Sequence, residues 1–496
     1  MLGVLTALGK EKMCPAFSSP KTHYLMKEQL LHYAWRTRRF SSENLATTKG
    51  EPIEILHPGH LNNDAGPDFL LARIKIGDTV WAGQVEMHLR SSDWQKHGHQ
   101  HDPAYDNVIL HVVYEDDLPV HRAGGSPIPC LEMKNRISRR LAVHYERLIH
   151  TESWVPCAER LSEADELTRS LWLDRMATER LQTKADQMAE ALQLQEWDWE
   201  EVCFQFLSRS LGGKVNAEPM QMLAERTPLS LIRKYRNSLF QVEALLFGQS
   251  GLLDGDFEEE YPQRLQQEYR FLQRKHGLQP LPPTTWKYLR LRPANFPAFR
   301  IAQLATLVFR QTGLFSKIAA ARSLPELANL FEVKLSNYWR SHYTFGKKAV
   351  RPPRRLGEQA IRLIIINAIA PLLFLYGQRQ GGEKASTLAL RLMEELEPEA
   401  NNIISRWSAT GLSPCSAFHS QGLLHLKQQY CNKSRCLECA IGHALLKQAD
   451  KAEEAEAAGF LGEAWAFDWR LLSVPFAPEE QNESAMGCLM AEGRPA

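Results

Sequence analysis

The sequence lacks a dominant charge: 59 lysines and arginines face 58 aspartates and glutamates over 496 residues, for a net charge of +1. That balance excludes a chain-wide basic surface for nucleic acid and a chain-wide acidic one for cationic partners, leaving only local patches. The chain also lacks a P-loop, a dinucleotide-binding fingerprint and a serine-nucleophile elbow; the chemistries built on those motifs are not expected. Long apolar runs are scarce. The longest, from Ile361 to Tyr376, is interrupted by Arg362, Asn367 and Pro371 and falls short of a span, so it predicts a buried helix and no membrane partner. The short apolar stretch at the N-terminus has no basic leader and is followed by Lys10 and Lys12, so residues 1–25 are expected to be a disordered extension of a cytoplasmic protein. Cysteine is too sparse for a disulfide framework. Nine are present, an odd number, and three crowd into positions 431–439, which points to a reducing compartment and one local metal or redox site.

Periodicity divides what remains. Residues 26–40 place Leu30, Leu31, Ala34 and Trp35 at helical spacing. Glycine and proline then punctuate segments rich in Ile, Val, Phe and Trp, namely PIEILHPG, DFLLARIKIG, TVWAGQVEMHLR, NVILHVVYED and IPCLEM, with a hairpin turn expected at Asp78 and Thr79. The nearly continuous apolar run VILHVV implies a sheet covered by helices on at least one face. From Ser162 onward the apolar spacing is helical, with helices expected at 196–212, 230–248, 261–276, 325–339, 357–376, 384–396 and 420–447. The expected fold class is α+β: a mixed α/β domain over 26–155, a largely helical region over 156–475, and a disordered tail over 476–496.

Chemistry concentrates between Asn62 and Asn107. Asp68 heads one expected strand and Glu86 lies on the next, so the two carboxylates can converge on a hard divalent cation across the hairpin. His88 projects from the same strand face as Glu86. In the following loop His97, His99 and His101 alternate, with Asp93, Asp102 and Asp106 around them. An extended loop of that kind brings imidazoles to one transition metal; a solvated polar hairpin and loop is the plainer reading. Arg90, Ser91, Ser92 and Lys96 could instead meet a phosphate backbone.

The Pro67-Asp68 and Glu86-Met87-His88 halves resemble the core of the PD-(D/E)xK nuclease superfamily. The resemblance implies a restriction-endonuclease-like sheet, Mg2+ or Mn2+ on Asp68 and Glu86, Glu28 as the acidic residue of the opening helix, and Gln84 as part of a Gln-x-Glu variant. His88 stands where that superfamily usually has lysine, and an imidazole there would hold or deprotonate the attacking water near neutral pH.

A second cluster, Cys431, Cys436 and Cys439, has the spacing C-x4-C-x2-C, suited to zinc or an iron-sulfur cluster, and needs a fourth ligand. His443, four residues after Cys439, is one candidate; Cys415, His419 and His425 are others. The segment resembles the iron-sulfur loop of helix-hairpin-helix DNA glycosylases, with Lys433 and Arg435 where phosphate contacts would be expected. Three reduced structural cysteines are the alternative. Further on, NYWRSHYTFGKKAVRPPRRLG interleaves Tyr338, Trp339, His342 and Tyr343 with Arg340, Lys347, Lys348, Arg351, Arg354 and Arg355, a pattern suited to single-stranded nucleic acid or to a solvated loop. Across nearly the whole chain, segments such as HPGHLNNDAGPDF, GQVEMHLRSSDW, YWRSHYTFGK and YCNKSRCLECAIG resemble the bacterial domain-of-unknown-function family 2851.

The leading expectation is a metal-dependent nuclease-like protein acting on DNA or RNA. A non-catalytic nucleic-acid or protein-binding module with a structural metal, and a different metal-dependent phosphoester hydrolase, stand beside it. Sequence alone does not fix the oligomeric state.

Overall fold

The computed structural model describes residues 26–62, 64–332, 334–349 and 356–448; the expected disordered segments 1–25 and 476–496 lie outside them. The fold is α+β, a mixed sheet with helices followed by a helical region, as the periodicity indicates. Two compact units form, one from 26–157 together with 434–448 and one from 158–433. The 434–448 segment, read from sequence as part of the helical region, groups with the first unit, to whose core it contributes Leu437 and Leu446.

In the first unit, helix α1 (Glu28–Thr37) buries Leu30, Leu31, Tyr33, Ala34 and Trp35 and ends where Arg38 adopts a left-handed conformation at φ 55°. Strands β1 (Ile53–His57), β2 (His60–Leu61), β3 (Phe69–Ile76), β4 (Thr79–Arg90), β5 (Val108–Glu115) and β6 (Cys130–Glu132) make one sheet in the order β1-β3-β4-β5-β6, with β2 also on β3. The β3-β4 hairpin is antiparallel and closes at Gly77 and Asp78, where Ile76 faces Thr79. Strands β4, β5 and β6 run parallel. Val108 through Val113 are all buried, as a strand covered on both faces requires.

In the helical unit, the long helix Glu166–Leu194 is capped by the Asp165 side chain, which accepts from the Thr168 backbone N–H at 2.8 Å, and buries one stripe from Trp172 to Leu192. The expected helix 230–248 is two, Leu229–Lys234 and Leu239–Gln249, the second capped by Ser238. The expected helix 325–339 stops at Leu330. Trp339 is fully buried and Tyr338 lies flat against His342 at 4.0 Å, an arrangement reached through a short turn and the hairpin of His342–Thr344 and Lys347–Lys348. The expected helix 420–447 is likewise broken, by tight turns at Cys431–Lys433 and Cys436–Glu438.

The apolar run at 361–376 lies within a longer helix than its breakers suggested, Glu358–Gln380, which by length and composition alone is long enough to cross a membrane; 56% of its apolar window is buried inside the protein. A π-turn at Ile365–Ile369 precedes Pro371, which stands in the first turn of the helical stretch that follows. Within the π-turn Asn367 accepts from the Lys184 ammonium at 2.9 Å.

One buried acid in this unit has a measurable cost. Glu243 is fully buried, its Oε2 accepts from the Tyr261 hydroxyl, and its Oε1 has no hydrogen-bond partner. Burial raises its carboxyl to about 7. With a folded pKa above the unfolded one, stability is present below about pH 4.5 and declines as pH rises towards 7. Glu243→Gln should remove that decline, stabilising the protein at pH 8 relative to pH 4.5 by up to about 3 kcal/mol in chemical denaturation.

Candidate metal centre

The site is built on the β3-β4-β5 face from local constraints. The Asn62 amide donates to the Pro67 carbonyl at 3.1 Å and its backbone N–H donates to the Asp68 carbonyl at 2.7 Å, fixing the turn that presents Asp68 ahead of β3. Beyond it the strand bulges, with Leu71 at φ 59° and 74% exposed. Asp68 and Glu86 then interlock. The Asp68 backbone N–H donates to Glu86 Oε2 at 3.1 Å, and the Met87 backbone N–H donates to Asp68 Oδ2 at 3.0 Å.

Glu86 Oε1 faces imidazoles. It lies 3.3 Å from His99 Nε2 and 3.6 Å from His88 Nε2, and His88 Nε2 is 3.1 Å from His97 Nδ1. One nitrogen from each of His88, His97 and His99 lies within 4.8 Å of the other two. Tetrahedral donors about 2.0–2.1 Å from a zinc-sized ion are separated by roughly 3.3 Å, and the Glu86–His99, Glu86–His88 and His88–His97 pairs are near that separation. Behind them His88 Nδ1 contacts His111 Nε2 at 2.8 Å, the kind of partner that fixes a ligating imidazole in one tautomer and orientation. A second group adjoins the first: Glu28, His32 and Asp68 each offer an atom within 4.8 Å of the others, with His32 Nε2 3.3 Å from Asp68 Oδ2.

The loop carrying His97 and His99 is anchored rather than extended. Trp94 and Tyr105 sit in a small core with Val108, Val120 and Ile128, and His99 stacks on Tyr105 at 3.8 Å. The short helix Asp93–Lys96 and the turn His99–His101 replace the extended path that alternation implies. His101 is exposed, and Asp102 caps the next turn by accepting from the Ala104 N–H at 2.9 Å.

Burial sets the protonation states. Desolvation, with the Asp68 charge beside it, raises the Glu86 carboxyl well above the usual carboxylate range. Desolvation and then the His111, His99 and His97 rings lower the His88 imidazole to about 2; His111 is lowered to about 4 and His99 is also lowered, both chiefly by burial. Neutral imidazoles are the ligating form, and a cation offsets the burial of an ionised Glu86.

Sequence reading thus named Glu28, Asp68, Glu86, His88, His97 and His99, which come together; Gln84 sits beside them on β4, its Oε1 buried without a hydrogen-bond partner. It missed His32 and His111. The first lies one helical turn after Glu28, and the second pairs with Glu86 across the parallel β4-β5 register.

The family described as a protein of unknown function, DUF2851, matches residues 28–402. The chain belongs to that family. No curated protein and no solved structure matches the chain. The DUF2851 match takes in every residue of the carboxylate-histidine site and stops short of the cysteine turn.

Elsewhere, Trp339 and Tyr338 are used in packing, whereas Arg340, Lys347 and Lys348 are exposed; Arg351, Arg354 and Arg355 lie outside the described residues. In the helical unit Lys433 is exposed and Cys431 half-buried, His419 lies 3.1 Å from Asp174, and His425 3.4 Å from Glu179. In the first unit Arg435 pairs with Glu438, and His443 Nδ1 meets the Tyr33 hydroxyl at 3.0 Å.

The β4-β5 pairing that sets Glu86 opposite His111 depends on Gly83. A Cβ there would stand 2.5 Å from Ile109 Cγ2 and 2.6 Å from the Asn107 carbonyl oxygen. Gly83→Ala should therefore destabilise the protein by about 1–3 kcal/mol in denaturant unfolding, the range for overpacking a tight contact.

Proposed function

We propose that this protein is a metal-dependent phosphodiester hydrolase, nuclease-like in its use of Asp68 and Glu86, working on DNA or RNA in the cytoplasm. The observation that carries the reading is the meeting of one nitrogen each from His88, His97 and His99 within 4.8 Å of one another, with Glu86 Oε1 3.3 Å from His99 Nε2 and 3.6 Å from His88 Nε2, beside the group of Glu28, His32 and Asp68. The PD-(D/E)xK resemblance supports it through Asp68 in the turn just ahead of β3 and Glu86 on the neighbouring β4, with His88 in the position of the lysine.

The donor set refines the expected cation. Three imidazoles and a carboxylate favour a transition metal such as zinc or manganese, while Glu28, His32 and Asp68 offer a harder, oxygen-richer place that suits Mn2+ or Mg2+. When bound, such an ion supplies Lewis-acid activation of a water and charge stabilisation on a phosphoryl oxygen. The protein's own groups orient and exclude: His111 steadies His88, the Asp68 backbone N–H holds Glu86, and Trp94 and Tyr105 keep the His97 and His99 loop closed over the sheet.

Purified protein given single-stranded and duplex DNA and RNA should cleave them with Mn2+, Mg2+ or Zn2+, and Asp68→Ala or Glu86→Ala should lower the rate on the order of 100-fold or more. Cleavage surviving both substitutions would refute the assignment. Hydrolysis of a small phosphoester but of no nucleic acid would place the same residues in the other class of phosphoester hydrolase, which the excess of imidazole favours.

Binding has its own readout. At a Mn2+ concentration about 100 times its Kd, chelator-treated protein should gain about 2.7 kcal/mol of stability. Paired substitution of His97 and His99 by Ala should remove that gain.

A further inference from the structure

The cysteines of the described residues are not all in one state. Cys130, Cys157, Cys203, Cys431, Cys436 and Cys439 carry free thiols, whereas Cys415 is disulfide-bonded, so its partner is not among those six. In a reducing compartment a disulfide is usually transient, catalytic or redox-sensing; in an oxidising one it is usually a structural staple. The surroundings of Cys415 separate the two.

Cys415 is exposed and stands immediately before Ser416, the cap of the nine-residue helix Ala417–His425. The Ser416 hydroxyl accepts from the His419 backbone N–H at 3.3 Å. Side chains on a helix lean towards its N-terminus, and the His419 ring reaches back so that its Nδ1 lies 3.0 Å from Cys415 Sγ. Its Nε2 lies 3.1 Å from Asp174 Oδ1 on the long helix Glu166–Leu194. Gly422 permits that approach, since a Cβ there would stand 2.7 Å from the carbonyl oxygen of Leu173, the residue before Asp174. A carboxylate only accepts, so Nε2 carries the hydrogen and Nδ1 is the nitrogen left to exchange a proton with sulfur. Sulfur, imidazole and carboxylate thus follow one another as a nucleophile, its base and the group that orients the base. A helix N-terminus and an adjacent imidazole are also the neighbours that favour a thiolate over a thiol.

We propose that Cys415, His419 and Asp174 form a thiol-disulfide exchange site, with Cys415 as the reactive sulfur, His419 as its proton partner and Asp174 as the residue that positions the imidazole. The co-reactant is a dithiol. One of its thiolates attacks the partner sulfur of the Cys415 disulfide; the S–S bond breaks, and Cys415 leaves as a thiolate beside His419 Nδ1. The second thiolate then attacks the mixed disulfide, closing the S–S bond of the oxidised dithiol and expelling the partner thiolate. The dithiol has lost two electrons and two protons, one proton ending on the Cys415–His419 pair and the other on the partner thiol. The site lies within the helical unit and shares no residue with the carboxylate-histidine site, so it stands whether or not that site hydrolyses phosphoesters.

Full-length protein is treated with dithiothreitol, and the Cys415 disulfide is followed by differential alkylation and peptide mapping. The disulfide should open, and His419→Ala should slow its opening at pH 7 on the order of 10-fold, because the leaving thiolate loses its proton partner. In the reduced protein, the rate of Cys415 alkylation against pH should have a midpoint below about 7.5; His419→Ala should return it to about 8.5, and Asp174→Asn should move it part of the way. Cys203→Ser, inside the helical core, should change neither readout. If His419→Ala fails to fold, the wild-type profile decides alone. A wild-type midpoint near about 8.5, or one that His419→Ala leaves in place, would overturn the proposal, as would a Cys415 thiol that stays free after incubation with oxidised glutathione.

Discussion

The N-terminal unit depends on one reciprocal lock between two strands. The Asp68 backbone donates to the Glu86 carboxylate, and the Met87 backbone, next to Glu86, donates to the Asp68 carboxylate. Fold and site therefore share the same hydrogen bonds. A slip of one residue between β3 and β4 would move Glu86 and His88 to the opposite face and replace them with Met87, which belongs to the hydrophobic core. The sheet can keep its buried face or lose its donors, but it cannot keep both in any other register.

Burial makes this arrangement costly without a cation. Glu86 is 5% exposed and His88 is 1% exposed, and polar groups so deeply placed are stable only when paired. The imidazoles solve half of that problem by remaining neutral and bonding to each other in the sequence His111, His88, His97. The carboxylate solves the other half by taking up a proton or by meeting a positive charge. A structural network would be satisfied by the first solution. The three imidazole nitrogens within 4.8 Å of one another, with a second triad beside them, are the feature on which the proposed cation rests.

Much of this was legible because short-range geometry produces it. A strand period of two puts Glu86 and His88 on one face, and the helix at Glu28 was plain from its apolar spacing. What escaped depends on pairing between distant segments. His111 lies inside the apolar run VILHVV, where a lone histidine looks like filling; only the parallel β4-β5 register shows that it backs His88. His32 acquires meaning once the turn at Asp68 is known to meet α1. The alternation of His97, His99 and His101 suggested three equivalent ligands, but Trp94 and Tyr105 draw the loop into short turns that leave His101 outside.

Helix α1 ties the two clusters together mechanically. Glu28 and His32, one turn apart, reach the carboxylate site, whereas Tyr33 and Arg36 hold His443 and the Leu437 carbonyl at the cysteine turn. These two pairs lie on adjoining faces of a helix whose remaining surface is packed with Leu30, Leu31, Ala34 and Trp35. A helix so packed moves as a body if it moves at all. Displacing the cysteine turn therefore acts on the position of His32 against Asp68, while the β3-β4 lock, made entirely within the hairpin, stays intact. The chain thus separates what fixes Asp68 and Glu86 to each other from what sets α1 above them, and the latter includes the C-terminal segment that returns to the N-terminal unit.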